Sequence, residues 1–245
     1  QRLDQALASR GLVPSRERAQ EAIKAGMVLV NGRPATRSAQ PVTETDELQV
    51  TGDPIGYVGR GGLKLEAALD AFFIDPTGQV CLDVGASTGG FTECLLRRGA
   101  SQVFALDVGR DQLHPSLRSD ERIVVMEETD IRSLESLPVA PTLITVDVSF
   151  ISLKHVLEPI GRLAAPEATV IALIKPQFEV GPGKVDRKGI VRDPHLMGAA
   201  IEGVVEAATT LGWLPGRVIP SPIKGTEGNL EYLTSFRLSR SGWKA

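Results

Sequence analysis

The chain has little of what would place it outside a cell or in a membrane. It contains two cysteines, Cys81 and Cys94, in 245 residues, too few for the disulfide framework of a small secreted domain. Both fall inside expected regular elements, so a reduced, cytoplasmic protein is the expectation. No apolar run approaches the ~20 residues that span a bilayer. No signal-peptide pattern opens the chain, and no membrane partner is expected. There is also no marked excess of one charge. The formal net charge is −3, so the overall field does not single out a polyanion, and nucleic-acid binding has to come from local basic patches. No metal and no protein partner are called for. The length allows one large domain or two small ones, with enough chain for a real core.

The most informative stretch lies near position 80. Residues 80–82 are a short apolar run, expected as a strand buried on both faces and closed by Asp83. Gly85, Ala86, Ser87, Thr88, Gly89, Gly90 and Phe91 follow. The glycines, lacking a Cβ, let the backbone turn sharply and approach a ligand. Residues 91–98 have helical character. A glycine loop between a strand and a helix N-terminus is where α/β sheets hold adenosine-containing ligands. The dinucleotide fingerprint is incomplete, because Ser87 stands where its second glycine would be, so a nicotinamide site is the weaker reading. A turn serving no ligand is the plain alternative.

Further strands are expected over 102–106, 123–126, 143–146, 169–174, 213–219 and 232–238, with helices over 153–163 and 195–211. Strands alternating with helices predict a doubly wound α/β sheet of seven strands. The link before the last strand has no room for a crossover helix, which makes that strand antiparallel and the sheet mixed. Asp107 ends the second strand, about twenty residues on, where such folds hold ribose hydroxyls. Asp130 follows the third, placed to meet an adenine edge. Asp147 and Lys175 end consecutive strands; if those are neighbours, their backbones lie about 5 Å apart and the side chains can meet. Glu231 starts the antiparallel strand at the same edge. Lys64 would enter from a helix over 63–73. A cation in a first turn opposes the helix dipole by roughly a few tenths of a kcal/mol, and such placements often mark functional positions. A solvent-exposed lysine is the alternative. Residues 176–193 form a long connection rich in glycine and in Lys184, Arg187, Lys188 and Arg192, read as a flap over a bound RNA nucleotide, with a merely solvated loop as the alternative.

Ahead of this lies a smaller module. Leu3, Ala6 and Leu7 share one face of a helix over 2–10, which Gly11 stops. Ser15 is an N-cap for a helix over 16–25, with Ala19, Ala22 and Ile23 inward and Gly26 as its stop. A strand over 27–30, the hairpin dipeptide Asn31-Gly32 and a strand over 48–50 complete it. Before position 40 the basic residues Arg2, Arg10, Arg16, Arg18, Lys24, Arg33 and Arg37 face only Asp4, Glu17 and Glu21. That local excess fits a phosphate-contacting surface, although charge alone fits a solvated helix face equally well. Breaker-rich residues mark a boundary. The expected organisation is a module over 1–51, a linker over 52–62 and a large domain over 63–245.

Several of these stretches carry resemblances. D-V-G-A-S-T-G-G-F resembles motif I of S-adenosylmethionine-dependent methyltransferases. R-L-D-Q-A-L-A-S-R-G-L-V-P-S-R-E-R-A-Q-E-A-I-K-A-G-M-V-L-V-N-G looks like an S4 RNA-binding domain almost end to end. Y-V-G-R-G-G-L-K-L, D-V-S-F-I-S-L, I-K-P-Q-F-E-V-G and G-N-L-E-Y-L, taken with them, resemble the TlyA family, also labelled hemolysin-like. One departure is Gly59, where that family more often has serine. The resemblance implies a class I, Rossmann-like, FtsJ-like methyltransferase domain behind a small α+β S4 domain. It implies S-adenosylmethionine as cofactor, held by Asp83, the loop from Gly85 to Phe91, Asp107, Asp130 and Asp147. It implies a Lys-Asp-Lys-Glu tetrad of Lys64, Asp147, Lys175 and Glu231 acting on ribose 2′-hydroxyls of ribosomal RNA or ribosomal subunits, with cytidine as the nucleotide. It also implies RNA contacts from Ser15, Arg16, Arg18, Lys24 and the Asn31-Gly32 hairpin; Arg2, Arg60, Lys184 and Lys188 are expected to join them. Structured RNA of this kind is read mainly by shape and backbone.

In that chemistry Lys175 would bind the hydroxyl and, when neutral, accept its proton. Lys64 would be the nearby cation that favours the neutral form. Asp147 would orient Lys175, and Glu231 would complete the hydrogen-bond set. Three rival readings are a nicotinamide oxidoreductase, an RNA-binding assembly factor without chemistry, and a membrane-lytic protein. The first leaves the N-terminal module unexplained, the second the tetrad, and the third finds no spanning segment and no basic amphipathic helix.

Overall fold

The computed structural model describes residues 1–13, 15–51 and 56–239. They form two compact units, divided between Gly56 and Tyr57.

In the first unit, α1 (Leu3–Ser9) and α2 (Arg16–Lys24) pack on a small antiparallel sheet of β1 (Val28–Val30), β2 (Arg33–Pro34) and β3 (Leu48–Val50), in the order β2-β1-β3. The apolar spacing explains the packing: Leu3, Ala6, Leu7, Ala19, Ala22, Ile23, Val28 and Leu48 share one core. Ser15 caps α2, its Oγ accepting from Arg18 N at 3.2 Å. Asn31 and Gly32 both have positive φ, 50° and 75°, as a two-residue hairpin turn demands.

The second unit opens with α3 (Gly61–Phe72), then β4 (Val80–Val84), α4 (Gly90–Arg97), β5 (Gln102–Leu106), α5 (Pro115–Arg118), β6 (Ile123–Met126), β7 (Leu143–Val146), α6 (Leu157–Leu163), β8 (Thr169–Ile174), α7 (Pro176–Glu179), α8 (Pro194–Thr210), β9 (Trp213–Pro220) and β10 (Tyr232–Leu238). Its seven-stranded sheet has the order β6-β5-β4-β7-β8-β10-β9. β4 to β8 are parallel, and β10 runs antiparallel to both β8 and β9. The strand order reverses between β4 and β7, so the crevice at their carboxyl ends is where an open α/β sheet takes a ligand. Leu82, Phe104, Ile144, Val146, Val170 and Phe236 are among the buried core of the sheet.

Four local expectations change. Residues 57–62 pack into the second unit instead of linking two: Tyr57 is 7 % exposed, its hydroxyl donates to Glu66 Oε1 at 3.0 Å, and Val58 N donates to Glu93 Oε2 at 2.6 Å. Asp83 lies within β4 and does not end it, because two threonines satisfy its carboxyl in the interior. The helix expected over 153–163 is a 3-10 turn, Leu153–His155, followed by α6. The connection after Lys175 begins with α7 and is tied down further on. Asp186 accepts from the amides of Lys188 (2.8 Å) and Ile190 (3.0 Å) and from Arg192 Nε (2.8 Å), while Asn229 accepts from Val191 N and donates to Gly189 O.

Candidate active site

At the carboxyl ends of β4, β5 and β7 lies a cleft of about 560 Å³, lined by Gly85, Ser87, Asp107, Asp130 and Asp147 together with apolar Val108, Ile131 and Phe150. A smaller recess shares Gly85, Ser87 and Asp147 with it and adds Arg60, Ala86, Thr88, Gly90 and Phe91. The glycine loop makes room for both. Gly85 has φ 83°, and a Cβ there would stand 2.3 Å from the carbonyl oxygen of Asp147, so only glycine lets the β4 and β7 ends come together. Gly89 has φ 96° and starts α4. A Cβ at Gly59 would meet Thr88 Oγ1 at 2.5 Å, so a serine at that position would require the Thr88 hydroxyl to turn aside.

Asp107 does part of its work before any ligand arrives, accepting from Ser87 N (2.8 Å) and Gly109 N (2.7 Å). This leaves further lone pairs at the cleft. Asp130 holds Arg132 by a fork of Nε and Nη2 contacts, down to 2.6 Å, which keeps its carboxyl below the usual range. Glu127, absent from the sequence expectations, gathers the amides of Asp111, Gln112 and Leu113 and the Arg118 guanidinium. It thereby shapes the loop that carries Val108 and Gln112 to the cleft. The signal was one acidic residue directly after β6, which sequence reading alone does not distinguish from a solvated one.

The expected cofactor residues divide accordingly. Gly85, Ser87, Asp107, Asp130 and Asp147 line the cleft, and Ala86, Thr88, Gly90 and Phe91 line the recess. Gly89 backs the turn. Asp83 lines neither: it is fully buried, accepting from Thr92 Oγ1 at 2.7 Å and Thr145 Oγ1 at 2.9 Å. Burial pushes its carboxyl up to about 7, against the two threonine hydrogen bonds. A carboxyl raised above its unfolded value favours the fold most at low pH, and that contribution fades as pH rises from about 4 through about 7. Asp83→Asn should therefore remove a fall in thermal stability between pH 5 and pH 8 that the parent chain shows. Parallel melting curves for the two proteins would refute this assignment.

The four polar residues at the strand ends form two amine–carboxylate pairs. Lys175 Nζ lies 2.7 Å from Asp147 Oδ1 as an ion pair and donates a hydrogen bond to Ser149 Oγ at 2.8 Å. Lys64 Nζ lies 2.6 Å from Glu231 Oε2, with side chains only 10 % and 3 % exposed. Lys64, expected as a cation at this edge, has Glu231 as its own partner, because α3 carries it to the start of β10. The pairs belong to one edge. Tyr232 pairs with Ile174, so Glu231 and Lys175 each stand one residue beyond the paired ends of β10 and β8. One turn before Lys64, a Cβ at Gly61 would lie 3.9 Å from Asp147 Oδ2.

Two aromatic residues and one acid beside this edge were not singled out from sequence. Phe150 has φ 63° and is 91 % exposed, and its ring centroid is 5.2 Å from that of Phe178 on α7. Glu179 accepts from Ser152 Oγ and Leu153 N, tying the segment after Asp147 to the segment after Lys175. Of the expected RNA-contacting residues, Lys24, Lys184 and Lys188 are exposed. Arg60 is half-buried and donates to Thr226 Oγ1. In the first unit, Arg2 and Arg16 both bond Asp4.

Comparison with known proteins gives this arrangement its family. The profile of FtsJ-like methyltransferases matches residues 57–238 and that of the S4 domain residues 1–48. The 16S/23S rRNA (cytidine-2′-O)-methyltransferase TlyA of Mycobacterium tuberculosis is 46 % identical over 239 residues, covering 96 % of this chain and 89 % of that protein. The chain belongs to the TlyA family. Another relative, the 23S rRNA (cytidine-2′-O)-methyltransferase TlyA of Campylobacter jejuni, is 40 % identical over 91 % of this chain and 94 % of its own. A solved structure from Streptococcus thermophilus, provisionally described as a hemolysin, superposes with a TM-score of 0.78 at 36 % identity, over 98 % of this chain and 89 % of that one. An S-adenosylmethionine-dependent methyltransferase of Mesorhizobium loti shares the fold of the larger unit at a TM-score of 0.52 and 15 % identity. Hemolysin A of Brachyspira hyodysenteriae is 41 % identical over 96 % of this chain and 99 % of its own. Among the described residues of this TlyA-family chain, no helix is long and apolar enough to cross a membrane.

Proposed function

We propose that this chain transfers a methyl group from S-adenosylmethionine to the 2′-hydroxyl of a cytidine ribose in ribosomal RNA, on the ribosomal subunits of the cytoplasm. The observation that carries the reading is a pair of amine–carboxylate contacts, Lys175–Asp147 and Lys64–Glu231, at adjoining strand ends, with Asp147 also lining the cleft. The cleft suits the cofactor in size and in donor set: Asp107 takes the ribose hydroxyls, Asp130 the base edge, and Val108 and Ile131 its apolar faces. Bound there, S-adenosylmethionine supplies an electrophilic methyl group on a positively charged sulfur.

What remains for the protein is to hold the ribose oxygen in line with that methyl and to remove its proton. Fixing such geometry is itself worth several kcal/mol. Lys175 Nζ is pinned by Asp147 and Ser149, and in its neutral form it takes the hydroxyl proton. The resulting ammonium faces the Asp147 carboxylate, which stabilises it as it forms. Lys64 and Glu231 hold the floor on which this amine is aimed. The exposed Phe150 ring offers a stacking face to the nucleotide base. Arg2, Ser15, Arg16, Arg18 and Lys24 of the S4 unit, with Arg60, Lys184 and Lys188, contact RNA phosphates.

The test is transfer of labelled methyl to unmodified 16S and 23S rRNA transcripts and to isolated subunits, with sites mapped by resistance of the 3′-phosphodiester to alkaline cleavage. The expected result is label on cytidine riboses. Label on bases, or no transfer to any of these substrates, would overturn the reading.

A further inference from the structure

Among the described residues of the first unit, Asp4 is the one carboxylate that is wholly buried, and the chemistry above does not use it. It sits in the first turn of α1 beside core residues Leu3, Ala6 and Leu7. Its Oδ1 accepts from Arg2 Nε at 3.0 Å and from Gln5 N at 3.0 Å. Its Oδ2 accepts from Arg2 Nη2 at 3.0 Å, Arg16 Nε at 2.8 Å and Gln20 Nε2 at 2.8 Å. The two arginine side chains it holds remain 43 % and 51 % exposed.

A buried charge gains little stability over an apolar residue of similar size, so packing alone is a weak reason to keep a carboxylate there. What the carboxylate does achieve is unusual. It draws two like charges, one on the residue before α1 and one at the start of α2, into one hydrogen-bond shell that restricts the rotamers of each. Arg2 is gripped by two of its nitrogens and Arg16 by one, so Arg2 Nη1 and both Nη groups of Arg16 remain for an outside anion. A free arginine gives up roughly 2 kcal/mol of rotamer freedom when it is fixed; here part of that ordering is already in place.

We propose that Asp4 is a positioning residue that preorganises Arg2 and Arg16 as a paired-guanidinium site for phosphodiesters of the RNA backbone. The inference rests on the reading of the S4 unit as an RNA-binding unit. It makes a prediction opposite in sign to that of charge counting. Asp4→Asn removes a negative charge, so a surface acting only through its net charge would bind RNA more tightly and with a steeper salt dependence. Loss of preorganisation instead weakens binding and flattens that dependence.

The experiment measures the affinity of the full chain for an unmodified 23S rRNA transcript across a KCl series, with thermal melts alongside. Arg2→Ala/Arg16→Ala is expected to bind about tenfold or more weakly, with the slope of log K against log salt shallower by about 2. Asp4→Asn is expected to bind several-fold more weakly than the parent, and the triple variant to match the double arginine variant. Arg2→Lys, which keeps the charge but cannot grip both carboxylate oxygens, should also weaken binding several-fold; it carries the test should Asp4→Asn not fold. Asp4→Asn binding as tightly as the parent or tighter, an equal loss from Asp4→Asn in the arginine-free background, or parental affinity in Arg2→Lys would overturn the proposal. Unchanged affinity in Arg2→Ala/Arg16→Ala would instead overturn the RNA-binding reading beneath it.

Discussion

Lys175→Ala is expected to lower the methyl-transfer rate by about 10³-fold or more while leaving S-adenosylmethionine affinity within about threefold of the parent. A positioned acid–base group contributes roughly 10²–10⁴-fold, and removing this amine also removes the anchor for the ribose oxygen. The cofactor residues Asp107 and Asp130 do not depend on Lys175. Asp107 is fixed by the amides of Ser87 and Gly109, and Asp130 by Arg132. Removing the amine leaves Asp147 without its counter-ion, but that side chain is 20 % exposed and can recruit water, so the fold should survive. Single-turnover transfer and a calorimetric titration with the cofactor, run on the same preparation, separate chemistry from binding. Transfer within tenfold of the parent would remove Lys175 from the reaction.

The second large effect concerns stability as well as activity. Lys64 and Glu231 are both nearly sealed from solvent. Lys64→Met leaves a buried carboxylate with no cation, a loss expected to cost about 3–5 kcal/mol, read as a lower urea midpoint at unchanged slope. Lys64→Met/Glu231→Leu removes both charges and should recover most of that stability, because a well-packed apolar pair can equal a buried ion pair. Methyl transfer should remain lost in the double variant if the pair holds Lys175 in aim. A double variant that is both stable and fully active would leave the pair a purely structural role. A destabilisation below about 1 kcal/mol in Lys64→Met would contradict the burial argument itself.

Much of this protein was legible from spacing alone. The seven strands of the larger unit, the antiparallel last strand and the two helices and hairpin of the smaller one follow from signals that act within a few residues. Apolar periodicity, Ser15 as a cap, and Asn31-Gly32 as the one dipeptide suited to that turn are examples. The approach of Asp147 to Lys175 was also legible, because neighbouring parallel strands of fixed spacing leave their ends little freedom.

Other features were decided only by the folded chain. Asp83 and Asp107 read alike in sequence, each an acid at a strand's end. One is sealed beneath two threonines and the other opens on the cleft, since burial depends on what the neighbouring strand and helix put above it. Lys64 pairs with Glu231, 167 positions away, a partnership set by how α3 lies against β10. Asp4, read as one negative charge subtracted from a basic face, proved to be what holds two of that face's arginines in place. Local patterns act through backbone geometry and fix which elements form. The partner of a charged side chain depends on packing between elements distant in sequence, and no short-range pattern encodes it.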